Sequence, residues 1–184
     1  MKRIVRDYLL LALMAGVIVF LDQWSKAYVR NNLALGAAWA PWPWLLPYAR
    51  IVHWYNTGVA FGLFQGKSQL FAILAVLVAV AIIYYFPRVP ANDWTLRIAM
   101  GLQLGGAMGN LFDRIFNVGQ VTDFISVGNF PVFNVADASI TVGVMVLLLG
   151  IWIQDRKKPS QATIAPSSIK ETIHQDVNIK EDQQ

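Results

Sequence analysis

The sequence predicts an integral membrane protein, mainly α-helical, built as a four-transmembrane-helix bundle. Hydrophobic residues make up 56% of the 184-residue chain and charged residues 14%, whereas an ordinary soluble domain carries about 25% charged residues. Four apolar segments come close to the roughly 17–25 residues that cross the hydrocarbon core of a bilayer. Basic residues gather at the ends of these segments, where cytoplasmic anchors are expected.

The first apolar segment follows Lys2, Arg3 and Arg6, and no cleavage site lies close behind it. We therefore expect a retained helix rather than a removed signal peptide. Pro87 and Pro90 follow the second segment, and proline does not continue a helix. The predicted helices cover residues 8–29, 68–86, 94–112 and 137–154.

Four spans place both termini on the same side of the membrane, and the basic residues assign that side to the cytoplasm. Arg88 and Arg97, which flank the connection between the second and third segments, are interpreted as such anchors. Residues 30–68 and 113–136 then face outward. The first of these loops is rich in Trp, Pro and Tyr, and Trp and Tyr favour the membrane–water interface. Residues 50–55 have high β-propensity, so we expect short strands there.

The chain is expected to form one membrane domain over residues 1–156, followed by a tail. Residues 157–184 are rich in Ser, Gln, Lys and acids and poor in apolar side chains. That composition predicts a disordered cytoplasmic tail. No long internal repeat is visible, which weighs against an inverted-repeat transporter.

Several classes of function lack the residues that they need. The chain has no cysteine, which excludes disulfides and thiolate catalysis. Its two histidines, His53 and His174, do not form a zinc-protease motif. A Gly-x-Ser-x-Gly elbow and a phosphate-binding P-loop are also missing. Nucleic-acid binding is disfavoured because the basic residues lie at the ends of apolar segments rather than on one face. We expect no metal and no organic cofactor.

Two aspartates, Asp123 and Asp137, stand in apolar surroundings where a carboxylate is costly. A pair of close carboxyls can share a proton and activate water. Asp137 also has a plain structural interpretation, because Asn134 is a good helix N-cap and an acid three residues later favours the helix dipole.

Other polar residues admit both a structural and a functional interpretation. Asp22 and Lys26 are four apart on the first helix, where they can pair with each other or contact a polar headgroup. Asn110, Asp113 and Arg114 either fix the loop after the third segment or orient the carboxylates.

Asn56 and Gly58 predict a tight turn, and the Asn side chain could also hold a peptide extended. Gly101, Gly105 and Gly109 form a small-xxx-small face. This face serves either packing within the chain or dimerisation.

Two non-enzymatic functions stay open. The first is an ion or proton pathway through the buried charges. The second is a scaffold that binds a partner helix through the glycine face.

Five short motifs follow one another along the chain: LDQWSK at 21–26, YNTGVAF at 55–61, GGAMGNLFDR at 105–114, VTDF at 121–124 and FNVADAS at 133–139. In this order and spacing they resemble the motifs of the lipoprotein signal peptidase (signal peptidase II) family. The resemblance covers roughly residues 8–156.

The resemblance implies an aspartyl endopeptidase of the bacterial inner membrane, with four transmembrane helices and a small extracytoplasmic β-rich platform around residues 32–62. Such an enzyme removes the signal peptide from diacylglyceryl-modified prolipoproteins, cutting before the lipidated cysteine. Its partners are this substrate, membrane lipids and globomycin-type inhibitors, and we expect a monomer.

By position, Asp123 and Asp137 match the family's catalytic pair. Since two close carboxylates do not both ionise cheaply, one takes a proton from water while the other, protonated, polarises the scissile carbonyl. We expect Asp137 to hold the negative charge, because a helix N-terminus favours it. The remaining positions are predicted to support the pair or bind substrate: Asp22, Lys26, Asn56, Gly58, Asn110, Asp113, Arg114 and Asn134.

Overall fold

A computed structural model describes residues 2–58 and 64–157 of the chain. Residues 1–151 form one compact unit. The other unit, residues 152–184, is described only for the end of the last helix. The predicted tail at 157–184 lies outside the described residues, apart from the backbone of its first residue.

Four helices and three strands make up the described structure. Three of the helices, α1, α2 and α4, are long and apolar enough to cross a membrane. A short 3₁₀ turn precedes the second strand and another follows α2. In chain order the elements are α1 (Lys2–Asn32), β1 (Ala38–Trp39), β2 (Ala49–Asn56), α2 (Ser68–Tyr85), α3 (Trp94–Phe116), β3 (Val121–Val127) and α4 (Val135–Lys157).

Helix α3 is the polar member of the set, and it runs four residues beyond the predicted end at residue 112. Its buried positions include Arg97, Asn110 and Asp113 as well as six glycines or alanines. These polar residues point inward, so α3 carries them between helices rather than on its outer surface.

The glycine face of α3 packs against α1 within the same chain. A side chain at Gly101 would meet Met14 at 2.5 Å, and one at Gly105 would meet Ile18 at 2.6 Å. The absence of side chains at these positions lets the two backbones approach closely. Of the two uses left open for this face, the structure therefore shows packing within the chain.

Helix α4 packs on another side of α3 through a second set of small residues. A side chain at Gly106 would meet the Ala136 carbonyl oxygen at 2.5 Å, and one at Gly143 would meet the Ala99 carbonyl oxygen at 3.1 Å. Two helices thus approach α3 closely from different directions.

Arg97, interpreted from the sequence as a cytoplasmic anchor, is buried between helices rather than placed at the surface. Arg97 is only 2% exposed, and its Nη2 donates to Oδ1 of Asp7 over 2.6 Å. Its Nη1 donates to the Val89 carbonyl oxygen, and its guanidinium lies over the Phe86 ring. Arg97 can be buried because Asp7 on α1 supplies a buried counter-charge.

The three strands form one antiparallel sheet in the order β1-β2-β3. The predicted strand at residues 50–55 is confirmed by β2. The sheet is not confined to residues 32–62, however, because its third strand comes from the second loop. The sequence of β3 carries Asp123 between apolar neighbours, a polar interruption that concealed its strand pattern.

Residue Phe133 fixes the start of α4 beside β3. Its N–H donates to the Ile125 carbonyl oxygen over 3.0 Å, and its own carbonyl oxygen accepts from the N–H groups of Phe124 and Ile125. The chain enters α4 immediately afterwards. These bonds therefore bring the N-terminus of α4 next to the strand that holds Asp123.

Candidate active site

The N-terminus of α4 is closed by a reciprocal pair of hydrogen bonds between Asn134 and Asp137. The Asn134 side-chain oxygen accepts from the Asp137 N–H over 2.9 Å, and Oδ2 of Asp137 accepts from the Asn134 N–H over 3.1 Å. This arrangement is a capping box with aspartate as the returning acid. The predicted N-cap is therefore confirmed, and capping does not remove Asp137 from the polar site.

Asn134 also connects Asp137 to Asp123. Its Nδ2 donates to Oδ1 of Asp123 over 2.7 Å. The other oxygen of Asp123 accepts from Nδ2 of Asn56 over 3.0 Å. Asn56 is itself held by the turn predicted for it, because its side-chain oxygen accepts from the Gly58 N–H over 2.9 Å. Asp123 thus accepts from two amide side chains, and Asp137 likewise accepts from two N–H donors, the Asn134 backbone and Nδ2 of Asn110.

The two carboxyls lie in different surroundings. Asp123 is 2% exposed, whereas Asp137 is half-buried. Burial and, after it, the nearby charge of Asp137 raise the pKa of the Asp123 carboxyl to about 7, against the opposing effect of the hydrogen bonds from Asn56 and Asn134. Asp123 therefore holds a proton at pH values at which an ordinary aspartate has lost it.

Below the carboxyl pair lies a buried cluster of charges built around Lys26. Its Nζ lies 2.8 Å from Oδ2 of Asp22 and 3.2 Å from Oδ2 of Asp113. It also donates to Oδ1 of Asn110 over 3.0 Å. The predicted pairing of Asp22 with Lys26 is thus confirmed, and Asp113 joins it from α3.

Asp22 and Asp113 in turn hold backbone groups of the neighbouring elements. Oδ1 of Asp22 accepts from the Ala136 N–H over 2.9 Å, which satisfies a further free donor at the start of α4. Oδ2 of Asp113 accepts from the Thr122 N–H over 2.9 Å. The charge cluster therefore fixes both the helix that carries Asp137 and the strand that carries Asp123.

Three further polar residues belong to this network although they were not singled out in the sequence. Gln23 donates to Asp22, Asp113 and a backbone carbonyl, and Arg30 donates to the Thr122 hydroxyl over 2.9 Å. Arg30 has a signal in the sequence, because it follows Asp22 and Lys26 at another step of four along α1. Gln23 and Thr122 lie inside the matched motifs, beside Asp22 and Asp123.

A cavity of about 450 Å³ opens beside the carboxyl pair. One part of its wall is polar and includes both aspartates, Asn56, Asn110 and Arg114. The remaining wall is apolar and comes from the loop before α4 and from the first turns of that helix. Such a divided surface can contact both a polar and an apolar part of one ligand.

All ten predicted site residues lie in this one region. Asp123, Asp137, Asn56, Gly58, Asn110 and Arg114 line the cavity, while Asn134, Asp22, Lys26 and Asp113 lie behind it in the hydrogen-bond network. Apolar helices around a polar helix, with an enclosed polar site at one end, define the class: a multi-pass membrane protein with a site suited to hydrolytic chemistry.

Comparison with known proteins gives the family. Residues 14–153 match the family model described as Signal peptidase (SPase) II. The lipoprotein signal peptidase of Anoxybacillus flavithermus is 34% identical over 167 residues, which cover 89% of this chain and 97% of the relative. That of Halalkalibacterium halodurans is 39% identical over 150 residues, covering 79% and 93% respectively. The chain belongs to the signal peptidase II family, which is a family of proteases.

Solved structures agree with this assignment. A bacterial membrane enzyme determined by the in meso method at 2.3 Å resolution matches with a TM-score of 0.74 at 28% identity, over 83% of this chain and 93% of that one. A second bacterial membrane enzyme, at 1.9 Å resolution, matches with a TM-score of 0.67 at 30% identity, over 77% and 91%.

Proposed function

We propose that this protein is a membrane aspartyl endopeptidase that removes the signal peptide from diacylglyceryl-modified prolipoproteins, cutting before the lipidated cysteine. The observation that carries this proposal is the bridging of Asp123 and Asp137 by Asn134 at the wall of one cavity. The names of the relatives, lipoprotein signal peptidases, support the substrate class.

In the proposed mechanism, water binds between the two carboxyls. Asp137, ionised, takes a proton from the water, and the resulting nucleophile attacks the scissile carbonyl. Asp123, protonated, donates a hydrogen bond to the carbonyl oxygen as negative charge develops there. The raised pKa of Asp123, about 7, supports this division of roles. As the tetrahedral intermediate collapses, the C–N bond breaks and Asp137 gives the proton that it took from water to the leaving amine nitrogen.

The substrate enters this site with its acyl chains still in the bilayer. The scissile bond therefore stays close to the membrane surface, where water is available. Asn56 and Gly58, on the turn after β2, are placed to hold the peptide extended against the sheet edge. The apolar wall formed by residues 130–133 and the start of α4 is suited to the lipid. The chemistry uses side chains alone, without a metal or organic cofactor.

We further propose that α3 crosses the membrane together with the three apolar helices, in the inner membrane, with both termini in the cytoplasm. The packing of α3 supports this. Met14 and Ile18 of α1 contact Gly101 and Gly105 of α3 in the same order along both helices, so the two helices run parallel. Parallel first and third helices are expected when the second helix returns across the membrane.

The absence of native cysteine makes this topology testable. Val118→Cys, at a position 96% exposed after α3, is expected to react with an impermeant maleimide added outside intact spheroplasts. Ala91→Cys, in the exposed connection before α3, is expected to react only after permeabilisation. Labelling of both positions from the outside contradicts the four-span arrangement.

The activity is tested with purified protein and a lipid-modified prolipoprotein. Wild-type protein is expected to release a shortened product whose first residue, identified by mass spectrometry, is the lipidated cysteine. Globomycin is expected to block this cleavage. Asp123→Asn and Asp137→Asn are each expected to lose at least about 10³-fold in rate, as when part of a catalytic unit is removed.

Asp155→Asn is the matched control, because it makes the same change at an exposed position near the end of α4. It is expected to retain wild-type cleavage. A precursor without the lipid tests whether the diacylglyceryl group is required. Wild-type rates in either dyad variant overturn the aspartyl mechanism, and an absence of cleavage by the wild-type protein overturns the proposed substrate.

A further inference from the structure

Lys26 does not line the cavity, yet one amide side chain joins it to Asp137. Nζ of Lys26 donates to Oδ1 of Asn110 over 3.0 Å, and Nδ2 of the same amide donates to Oδ1 of Asp137 over 2.7 Å. The Lys26 side chain is fully buried. The ammonium and the carboxylate are therefore linked in series through Asn110.

Lys26 fixes the direction in which the amide of Asn110 faces. Because an ammonium only donates hydrogen bonds, the amide oxygen of Asn110 points to Lys26. That oxygen also accepts from Nδ2 of Asn134 over 3.1 Å, so a second donor holds the same orientation. The amide N–H groups are left to face Asp137. Such a donor stabilises an ionised carboxylate more than a protonated one.

The charges around this link balance when one of the four carboxyls holds a proton, and the raised pKa of Asp123 favours that carboxyl. Within the described part of the chain, four carboxyls and three cations face one another in the cluster. A buried cluster is least costly when its net charge is zero, which leaves three of the carboxyls ionised. The groups come from α1 (Asp22, Lys26 and Arg30), α3 (Asp113 and Arg114), β3 (Asp123) and α4 (Asp137).

We propose that Lys26 is a positioning residue that acts through Asn110 to make Asp137 the ionised member of the catalytic pair. This proposal rests on the function proposed above and specifies how the two aspartates receive different roles. Lys26 itself touches neither water nor substrate. Its contribution is the fixed orientation of one amide and the positive charge behind it.

The test compares the pH dependence of kcat/KM for cleavage of lipidated prolipoprotein by full-length variants. Asn110→Ala removes the donor to Asp137. The acid limb of the profile is expected to move upward by about one pH unit, the effect of one hydrogen bond to a charged group. Gln23→Ala is the control, because it removes hydrogen bonds from the same cluster but none from Asn110 or the catalytic pair. Its acid limb is expected to stay in place.

A second variant tests the lysine directly. Lys26→Met combined with Asp113→Asn keeps the number of positive and negative groups balanced while removing the ammonium behind Asn110. Its acid limb is expected to move in the same direction. Adding Asn110→Ala to this variant is expected to produce a smaller shift than Asn110→Ala produces alone, because Lys26 acts through the amide that is removed while Asn134 still holds that amide in the absence of Lys26. Thermal unfolding in detergent checks that each variant is folded.

The outcomes separate the two proposals. An unmoved acid limb in folded Asn110→Ala overturns the role of Lys26 and leaves the peptidase function standing. Equal shifts in Asn110→Ala and Gln23→Ala also overturn it, because general loosening of the cluster then explains both. If Asn110→Ala does not fold, the acid limb of the pH profile of Lys26→Met/Asp113→Asn decides the question. Absence of cleavage by the wild-type protein overturns the peptidase function itself.

Discussion

Substitution of Gly109 by alanine tests whether α1 and α3 must approach closely at the site. A Cβ atom at Gly109 would lie 2.7 Å from Oδ2 and 3.1 Å from Cγ of Asp22. Asp22 cannot move away without breaking contacts, because its oxygens bind Lys26, Gln23 and the Ala136 N–H. Either the helices separate or Asp22 loses these contacts.

Two opposing effects set the magnitude for Gly109→Ala. Alanine improves intrinsic helix propensity by about 1 kcal/mol. Overpacking costs about 1–3 kcal/mol, and a displaced hydrogen bond to a charged group costs about 1.5–3 kcal/mol. We therefore expect a net destabilisation of about 2 kcal/mol. For a chain of this size that lowers the thermal midpoint by roughly 4–8 °C. Cleavage is expected to fall as well, because Asp22 holds the start of the helix that carries Asp137.

Gly16→Ala on α1 is the matched control. It makes the same change in a helix, but nothing lies within 4 Å of the added Cβ atom. This variant is expected to be as stable as wild type or slightly more stable, with unchanged cleavage. Thermal unfolding of the two purified variants in detergent measures their stability, and the prolipoprotein assay measures their cleavage. Equal midpoints for Gly109→Ala and Gly16→Ala would refute the close approach at Asp22.

Three other changes have expected outcomes of their own. Asp123 binds its proton more tightly in the folded protein than the ordinary value of 3.8 allows, since its pKa is about 7. The resulting stability is complete below about pH 4 and is lost as pH rises through about 7. Asp123→Asn, always neutral, is therefore expected to exceed wild type in free energy of unfolding at pH 8, by at most about 4 kcal/mol, and to approach it at pH 4, as the thermal midpoints at the two pH values will show. Asp7→Leu leaves Arg97 buried without its partner and is expected to cost about 3–5 kcal/mol, whereas Asp7→Leu/Arg97→Met is expected to recover most of this loss in the same unfolding assay. Asn56→Ala removes a donor from Asp123 and is expected to lower kcat/KM about tenfold or more, while the thermal midpoint stays close to that of wild type. A large fall in the thermal midpoint of this variant contradicts a local effect.

The apolar segments and two of the polar pairs were predictable because each has a local signature. A run of apolar residues between basic clusters predicts a membrane helix without knowledge of its neighbours. Asp22 with Lys26, and Asn134 with Asp137, are pairs at helical spacing whose contacts form within one element or at its end. The structure contains both pairs.

Features that depend on distant parts of the chain were not predictable in the same way. The burial of Arg97 requires Asp7, which lies ninety positions earlier on another helix. The third strand pairs with β2 across the whole of α2 and α3, and its alternation is interrupted by Asp123. A charged residue beside an apolar segment has the same appearance in sequence whether it anchors the helix in water or pairs inside the bundle.

The buried charges also specify how α1 and α3 align. Successive turns of the two helices meet in pairs whose residue numbers each differ by 87: Met14 with Gly101, Ile18 with Gly105, Asp22 with Gly109, and Lys26 with Asp113. Small residues alone would tolerate a shift by one helical turn, because glycine recurs at every fourth position. A shifted alignment would separate Lys26 from Asp113 and Asp7 from Arg97, leaving buried charges unpaired at both ends at a cost of several kcal/mol. The ion pairs therefore select one alignment among those that the glycines permit. Since Asn110 and Asp113 on α3 contact Asp137 and the backbone of Thr122, that selection also sets where the two catalytic candidates meet.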